Sequence, residues 1–395
     1  MSKLKRKPIR LGVEKLLEER VNLIRGQRVG LICNQASVNH GFSHSADLFF
    51  ETPEIKLTTL FGPQHGIRGD VQDNMVETGH SKDFQTNLPI YSLYSETREP
   101  TKQMLEEVDA LVFDLQDVGC RVYTFIYTMA NAMKACAGLG KKFIVCDRPN
   151  PINGISFEGN LLEKGHESFV GQFPIPMRHG LTVGELARLF NREFDIGCDL
   201  DVLTMDNWSR DDFYDETDGP WVMPSPNIPT VDTAVVFPGT VYFEGTKVSE
   251  GRGTTRPFEN VGAPYINSGH LSGVLNKLNL PGVIFRGVNF LPTFQKNAGN
   301  VCGGVFLHIT DRNSFRPVIT GLAMVKSIFE NYSEEFVWKE PPYEYEFERT
   351  PFDVIDGSRK TREWVAGGDG IEDLEESWKE NLKDFSEIRE KYLLY

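Results

Sequence analysis

Polar and ionisable residues of this chain gather directly behind short apolar runs. Cys33-Asn34-Gln35 follows the first, Gly62-Pro63-Gln64-His65-Gly66 the second, Asp114-Leu115-Gln116-Asp117-Val118-Gly119 the third and Asp147-Arg148-Pro149-Asn150-Pro151 the fourth. A loop from Glu244 to Glu259 then mixes Glu250, Arg252 and Arg256 with Gly245, Gly251 and Gly253, and glycine lets a backbone approach a ligand closely. Carboxyl chemistry has the most candidates: Glu77, Asp114, Asp117, Asp147, Glu244, Glu250 and Glu259. Glycoside hydrolysis uses two such groups, one protonated and one ionised, and burial or a like-charged neighbour is what lifts an acid's pKa. Asn34, Gln64, Gln116, Asn150 and Asn227 are amides that suit sugar hydroxyls and acetamides, while Tyr94 and Tyr123 offer ring faces and hydroxyls. Arg252 and Arg256 suit an anionic group on the ligand. Each of these residues is equally able to serve the core or a cap, and the order of the chain does not say which carboxylates meet.

Other chemistries find less support. There is no H-E-x-x-H for zinc and no G-x-S-x-G nucleophile elbow. His65 and His179 leave metal use disfavoured, and Cys120, between Gly119 and Arg121, is the one cysteine in a polar setting. Neither G-x-G-x-x-G nor G-x-x-x-x-G-K-[ST] occurs, so no dinucleotide or nucleoside triphosphate is expected, and neither cofactor nor metal is assigned.

The elements that must hold these residues alternate. Strands are expected at Arg28–Cys33, Lys56–Phe61, Ala110–Leu115 and Lys142–Cys146, with helices at Ser45–Glu51, Thr101–Val108 and Tyr123–Ala137. This rhythm indicates βαβ units and a parallel sheet. Right-handed crossovers place all the strand C-termini on one edge, where open α/β sheets bind ligands. Thr182-Val183-Gly184-Glu185 has capping-box spacing before a helix at Leu186–Phe194, and the proline-rich Trp221–Thr230 reads as a stiff loop. Beyond about residue 265 come a helix at His270–Leu278, strands at Gly282–Phe294 and Val301–Thr310, a helix at Phe315–Tyr332 and a charged helical tail, Ile371–Tyr395. The expected architecture is therefore α/β: a Rossmann-like domain over residues 1–265 carrying most site loops, then a smaller α+β domain over 266–395 closing the cleft.

The 395 residues are 40% hydrophobic and carry a formal charge of −14, which describes a folded globular chain without the basic face of a nucleic-acid binder. The six cysteines are dispersed and mostly lie in apolar runs, as buried free thiols do. No stretch of about 18 apolar residues occurs, and no apolar segment follows the basic N-terminus. The expectation is a cytoplasmic protein whose partner is a small molecule, with no membrane or nucleic acid. An exported form with a removed signal is the other option, and oligomeric state is open.

The motifs themselves resemble a family. Leu60-Phe-Gly-Pro-Gln64-His65-Gly66-Ile-Arg68-Gly69, Pro89-Ile-Tyr91-Ser-Leu-Tyr94, Phe113-Asp114-Leu-Gln116-Asp117-Val-Gly119-Cys-Arg121-Val-Tyr123-Thr124, Asp147-Arg148-Pro149-Asn150-Pro151, Pro224-Ser-Pro-Asn227-Ile-Pro229-Thr230 and Glu244-Gly-Thr-Lys-Val-Ser-Glu250-Gly-Arg252-Gly253-Thr254-Thr255 look like the NamZ-type exo-β-N-acetylmuramidases, in the same order from about residue 10 to the end. The resemblance implies a two-domain protein with its site in the cleft. It implies release of N-acetylmuramic acid from the non-reducing end of peptidoglycan fragments, without a cofactor. Arg148, Arg252 or Arg256 could then clamp the lactyl carboxylate, with Asn34, Arg68, Tyr94, Gln116, Arg121, Tyr123, Asn150, His179 and Asn227 as further sugar contacts. In the family the second-strand motif resembles Pro-Glu-His-Gly, with that Glu proposed as catalytic. Here the position is Gln64, and an amide cannot donate a proton as a carboxylic acid does. Glu250 or Glu77 is the expected replacement, with Asp73 and His65 also available and Asp114 or Asp117 positioning water. The alternative is an amino-sugar- or muropeptide-binding protein of the same fold without turnover.

Overall fold

The computed structural model describes residues 8–67 and 79–395. Strands β1 (Arg28–Cys33), β2 (Lys56–Gly62), β3 (Ser81–Lys82), β4 (Pro89–Ser92), β5 (Ala110–Asp114) and β6 (Lys142–Cys146) appear in chain order. The β7–β8 hairpin (Glu158–Leu161, Pro176–Arg178) and β9 (Asp199–Leu203) follow. Among the described residues, a seven-stranded sheet has the order β3-β4-β2-β1-β5-β6-β9, parallel except for β3. The middle of the sheet is buried on both faces, so β1, β5 and β6 read as nearly unbroken apolar runs rather than alternating ones. Leu111, Phe113, Phe143 and Val145 point into one core. Ala110, Val112, Ile144 and Cys146 point into the other, which also takes up helices α1 (Gly12–Glu19) and α2 (Ser45–Glu51). Helices α3 (Phe125–Leu139) and α4 (Val183–Glu193) cover the first face. The expected capping box starts α4: Thr182 Oγ1 accepts from Glu185 N, and Glu185 returns the bond to Thr182 N.

The first core continues without a break into the rest of the chain. There α5 (Val231–Thr240) leads into a 3-10 turn at Val241–Gly245, and β10 (Asn260–Ala263), α6 (Ser268–Lys277), β11 (Val283–Phe290) and β12 (Cys302–Ile309) follow. The strands pair antiparallel in the order β10-β12-β11. Helices α7 (Pro317–Asn331), α8 (Pro351–Asp356), α9 (Lys360–Ala366) and α10 (Ile371–Glu390) complete the chain. The α/β class with a second, C-terminal unit is thus what the sequence rhythm indicated.

Two expected helices differ. Residues 101–108 form turns, not a helix: Leu105 N bonds Thr101 O, but Glu106 and Val108 bond three residues back. The final helix stops at Glu390, and the last residues return to the sheet. There Tyr395 Oη donates to Asp147 Oδ2 at 2.7 Å and accepts from Met205 N at 2.7 Å. All six cysteines are buried and none is in a disulfide.

Candidate active site

At the sheet's topological switch point, between the C-terminal ends of β1 and β5, an open α/β protein would usually bind its ligand. Here that position is filled. Asp114 is fully buried and takes a bidentate ion pair from Arg148, Nε to Oδ1 at 2.6 Å and Nη2 to Oδ2 at 2.9 Å. Ser45 Oγ adds a bond to Asp114 Oδ2 at 2.5 Å, and Arg148 Nη2 also donates to Val38 O. These two site candidates therefore neutralise each other inside the sheet edge. Nearby, Asp117 Oδ2 accepts from Gly119 N at 2.7 Å and pairs with His179 Nε2 at 3.1 Å, while His179 Nδ1 accepts from Leu181 N. Gln116 donates to Asp117 O and Pro149 O, and Asn150 ties Leu181 O to Ile152 N. Arg121 spends its guanidinium on the carbonyls of Asn160, Ile175, Ile355 and Asp356. Backbone satisfaction of this kind is what buried loop crossings require.

The open space lies beside the end of β2. A cavity with about 500 Å³ of empty space, part of it open to solvent, is bounded by Gln64 and His65 and by the start of α3 at Tyr123, Thr124 and Phe125. Ser225, Asn227 and Ile228 of the proline-rich loop form a second wall. Glu244, Arg252, Tyr343 and Glu344 close it. Each wall has a local cause. Asn34 Nδ2 and Gln35 Nε2 reach Pro224 O and Met223 O, each at 2.9 Å, so the β1 end fixes the proline-rich loop instead of touching the cavity. The Thr124 hydroxyl, free of its own helix cap, donates to Gln64 Oε1 at 2.8 Å. His65 and Gly66 sit at φ +72° and +77°, which turns the chain sharply after β2.

Two carboxyl groups in this cavity have opposite electrostatics. Glu244 Oε1 accepts from Arg252 Nη2 at 2.6 Å, and Glu244 Oε2 accepts from Tyr343 Oη at 2.7 Å. Burial opposes its charge, but Arg252, the Tyr343 hydroxyl and Lys296 outweigh burial and hold the carboxyl below its ordinary value. Glu344 Oε2 accepts from Tyr94 Oη at 2.6 Å, with Gln64 Nε2 at 3.5 Å from Oε1. Burial, and after it the charge of Glu244, pushes the Glu344 carboxyl up to about 7 despite those bonds. Its backbone is unusual too: Glu344 and Tyr345 both have positive φ, +45° and +69°. Such a conformation costs a side-chain-bearing residue about 1–2 kcal/mol, and strain of this kind collects at functional sites.

Of the expected site residues, Gln64, His65, Tyr123, Asn227 and Arg252 line the cavity, and Tyr94 backs it. Glu250 stands one layer out, paired with Arg252 Nε at 3.2 Å and Lys296 Nζ at 2.5 Å, so it supports the cluster and does not enter the cavity lining. Arg256 is spent on Glu259. Asn34, Asp114, Gln116, Asp117, Arg121, Arg148, Asn150 and His179 hold the surrounding scaffold. Arg68 and Glu77, with Asp73, lie outside the described residues. Glu344 and Tyr343 were missed, and Glu244 was one carboxylate among seven. The available signal was Pro341-Pro342-Tyr343-Glu344-Tyr345, aromatic and acidic residues behind a proline pair, much as Asn227 sits among prolines. Among the described residues no group of three or more His, Cys, Asp or Glu is arranged to hold a metal ion.

The Peptidoglycan beta-N-acetylmuramidase NamZ of Bacillus subtilis is 48% identical over 392 residues, covering 99% of this chain and 92% of that one. Two crystal structures of DUF1343 family proteins from Bacteroides fragilis superpose over 98% of this chain and 99% of theirs. Their TM-scores are 0.89 at 37% identity and 0.77 at 28% identity. Residues 29–232 match the N-terminal domain of exo-beta-N-acetylmuramidase NamZ and residues 235–395 its C-terminal domain. With both halves matched and the cavity built from both, the chain belongs to the NamZ family of exo-β-N-acetylmuramidases.

Proposed function

We propose that this protein hydrolyses the bond of a non-reducing terminal N-acetylmuramic acid in peptidoglycan fragments such as the MurNAc–GlcNAc disaccharide, with Glu344 as proton donor and Glu244 as ionised partner. The observation that carries this is one cavity holding both a carboxyl raised to about 7 and a carboxylate kept ionised by Arg252. A pair of carboxyls pushed apart in pKa is the arrangement that separates acid from base roles. In the reaction Glu344 gives its proton to the glycosidic oxygen as the C1–O bond breaks. The Glu244 carboxylate stabilises the positive charge that grows on the ring, and water supplies the hydroxyl that ends on C1. The proton that this water gives up passes to the Glu344 carboxylate, directly or through solvent, and restores the acid. Asn227 and His65 offer polar contacts for hydroxyls and acetamide, and Arg252 is the one clamp candidate that lines the cavity.

We place the unit boundary after residue 265, so that Lys296, Tyr343 and Glu344 reach the site from the second unit. No helix among the described residues is long and apolar enough to cross a membrane. The six reduced, buried cysteines suit a reducing compartment, and we place the enzyme in the cytoplasm, which fractionation of cells would check. A binding protein without turnover is the competing reading. It rests on Gln64, and Glu344 answers it by returning a proton donor to the same corner.

Incubation of the purified protein with MurNAc–GlcNAc tests the proposal. Wild type should release N-acetylmuramic acid, with a rate that falls as pH rises through about 7 as Glu344 loses its proton. Glu344→Gln should lose about 10²–10⁴-fold in kcat, the range for removal of a positioned acid. Binding without release at any pH would leave the competing reading standing.

A further inference from the structure

We infer that Arg98 is a positioning residue for Glu344: stacked on the Tyr345 ring, it latches the turn that carries the carboxyl into the cavity. The inference rests on the role given to Glu344 above. Arg98 Cζ lies 3.4 Å from the Tyr345 ring centroid and 5.3 Å from that of Tyr94. Phe169 completes the cluster at 5.9 Å, and the Tyr94 and Tyr345 rings meet edge-on with centroids 5.8 Å apart. One ring of this cluster, Tyr94, is the hydrogen-bond donor to Glu344 Oε2. Another, Tyr345, is the next residue along the chain. Arg98 therefore grips the Glu344 turn both through its donor and through its backbone. Arg98 Nη1 donates to Ser95 O at 2.6 Å, which anchors the guanidinium to the segment leaving β4.

The turn has a physical reason to need a hold. Its two central residues, Glu344 and Tyr345, both lie at positive φ, where turns ordinarily place Asn or Gly. Tyr343 and Glu346 exchange backbone bonds across it, each 2.9 Å. A cation over an aromatic face supplies a directional attraction that survives partial burial. Without it the turn is free to relax toward ordinary φ, drawing Glu344 away from Tyr94 and Gln64 and letting water surround it.

The test compares Arg98→Leu, Arg98→Lys and Glu344→Gln on MurNAc–GlcNAc across pH, with folding checked by circular dichroism. Arg98→Leu should lower kcat by about 10–100-fold, the scale of a small misplacement of a reacting group. KM should change by less than about threefold. Its alkaline limb should move to lower pH, because a hydrated Glu344 returns toward its ordinary value. Arg98→Lys keeps a cation for the ring and should recover part of the rate. If Arg98→Leu does not fold, Tyr345→Leu removes the stack from its other side, together with the ring contact to Tyr94, and carries the same expectation. A folded Arg98→Leu with wild-type kcat and an unmoved limb, beside an inactive Glu344→Gln, overturns the latch. An active Glu344→Gln instead overturns the role of Glu344 itself.

Discussion

Gln64 occupies the place where the family resemblance leads one to expect a glutamate, and its amide touches three groups at once. It accepts from Thr124 and donates toward Tyr94 at 3.2 Å and Glu344 at 3.5 Å. A neutral amide there sets no second carboxyl against the Glu344 oxygen it faces. Gln64→Glu would set a second carboxyl against it, and two carboxyls at this distance do not both ionise. The alkaline limb of kcat/KM should then rise by on the order of one pH unit, read from a pH–rate profile. Asp114 behaves differently although it stands at an equally suggestive strand end. Because it neutralises the buried Arg148 guanidinium, Asp114→Ala should cost about 3–5 kcal/mol, the usual price of a broken buried pair. Urea denaturation would measure this. The pH dependence of turnover in the folded variant should stay where it is, which separates a scaffold residue from a catalytic one.

At the scale of elements, Glu244 is placed by the packing of α5 on α7. Gly239 and Gly321 meet there so closely that a Cβ on Gly239 would lie 1.8 Å from Pro317 O. The turn bearing Glu244 begins two residues later. Gly239→Ala should destabilise the fold by about 1–3 kcal/mol through overpacking, seen as a lower denaturation midpoint, and should also lower kcat by shifting Glu244. This coupling explains which parts of the site could be read from sequence. Strands β1, β2, β5 and β6 were legible because apolar β-branched runs between helical stretches have a local signature, and the Thr182 cap was legible for the same reason. Asn34 and Arg148 were legible as polar strand ends. That one would tie down the proline-rich loop and the other would be consumed by Asp114 depends on a backbone carbonyl 190 residues away and a carboxylate 34 residues away. Glu344 was hidden because its one local mark, aromatic neighbours behind the Pro341-Pro342 pair, says nothing of a raised pKa. Its properties come from burial, from Tyr94, and from a turn conformation that its own residue type disfavours.

Across the whole molecule, three buried carboxyls, Asp147, Glu344 and Asp356, are each pushed up to about 7, in every case first by burial. Unfolded, they would release their protons near pH 4. The native chain therefore holds protons that the unfolded chain gives up, and stability should fall as pH rises from about 4 to about 7. Asp109 and Glu346 work in the other direction. Hydrogen bonds from Arg28 hold Asp109 at about 2, and backbone bonds, with Arg349, hold Glu346 at about 2. Their contribution is present above pH 4 and is lost as pH falls toward 2. Thermal melts across pH should thus peak in mildly acidic buffer, and Asp147→Asn should flatten the decline on the alkaline side. The alkaline loss of stability and the alkaline loss of activity would overlap near pH 7, so a rate profile needs melts beside it.

The role of Glu344 is tested most directly by changing the leaving group. An aryl β-N-acetylmuraminide with an acidic phenol departs without a proton, whereas the GlcNAc of MurNAc–GlcNAc needs one. Glu344→Gln should therefore lose about 10²–10⁴-fold in kcat on the disaccharide and keep most of its rate on the aryl glycoside, with a flat response above pH 7. Equal losses on both substrates, or full activity on the disaccharide, would contradict Glu344 as the proton donor.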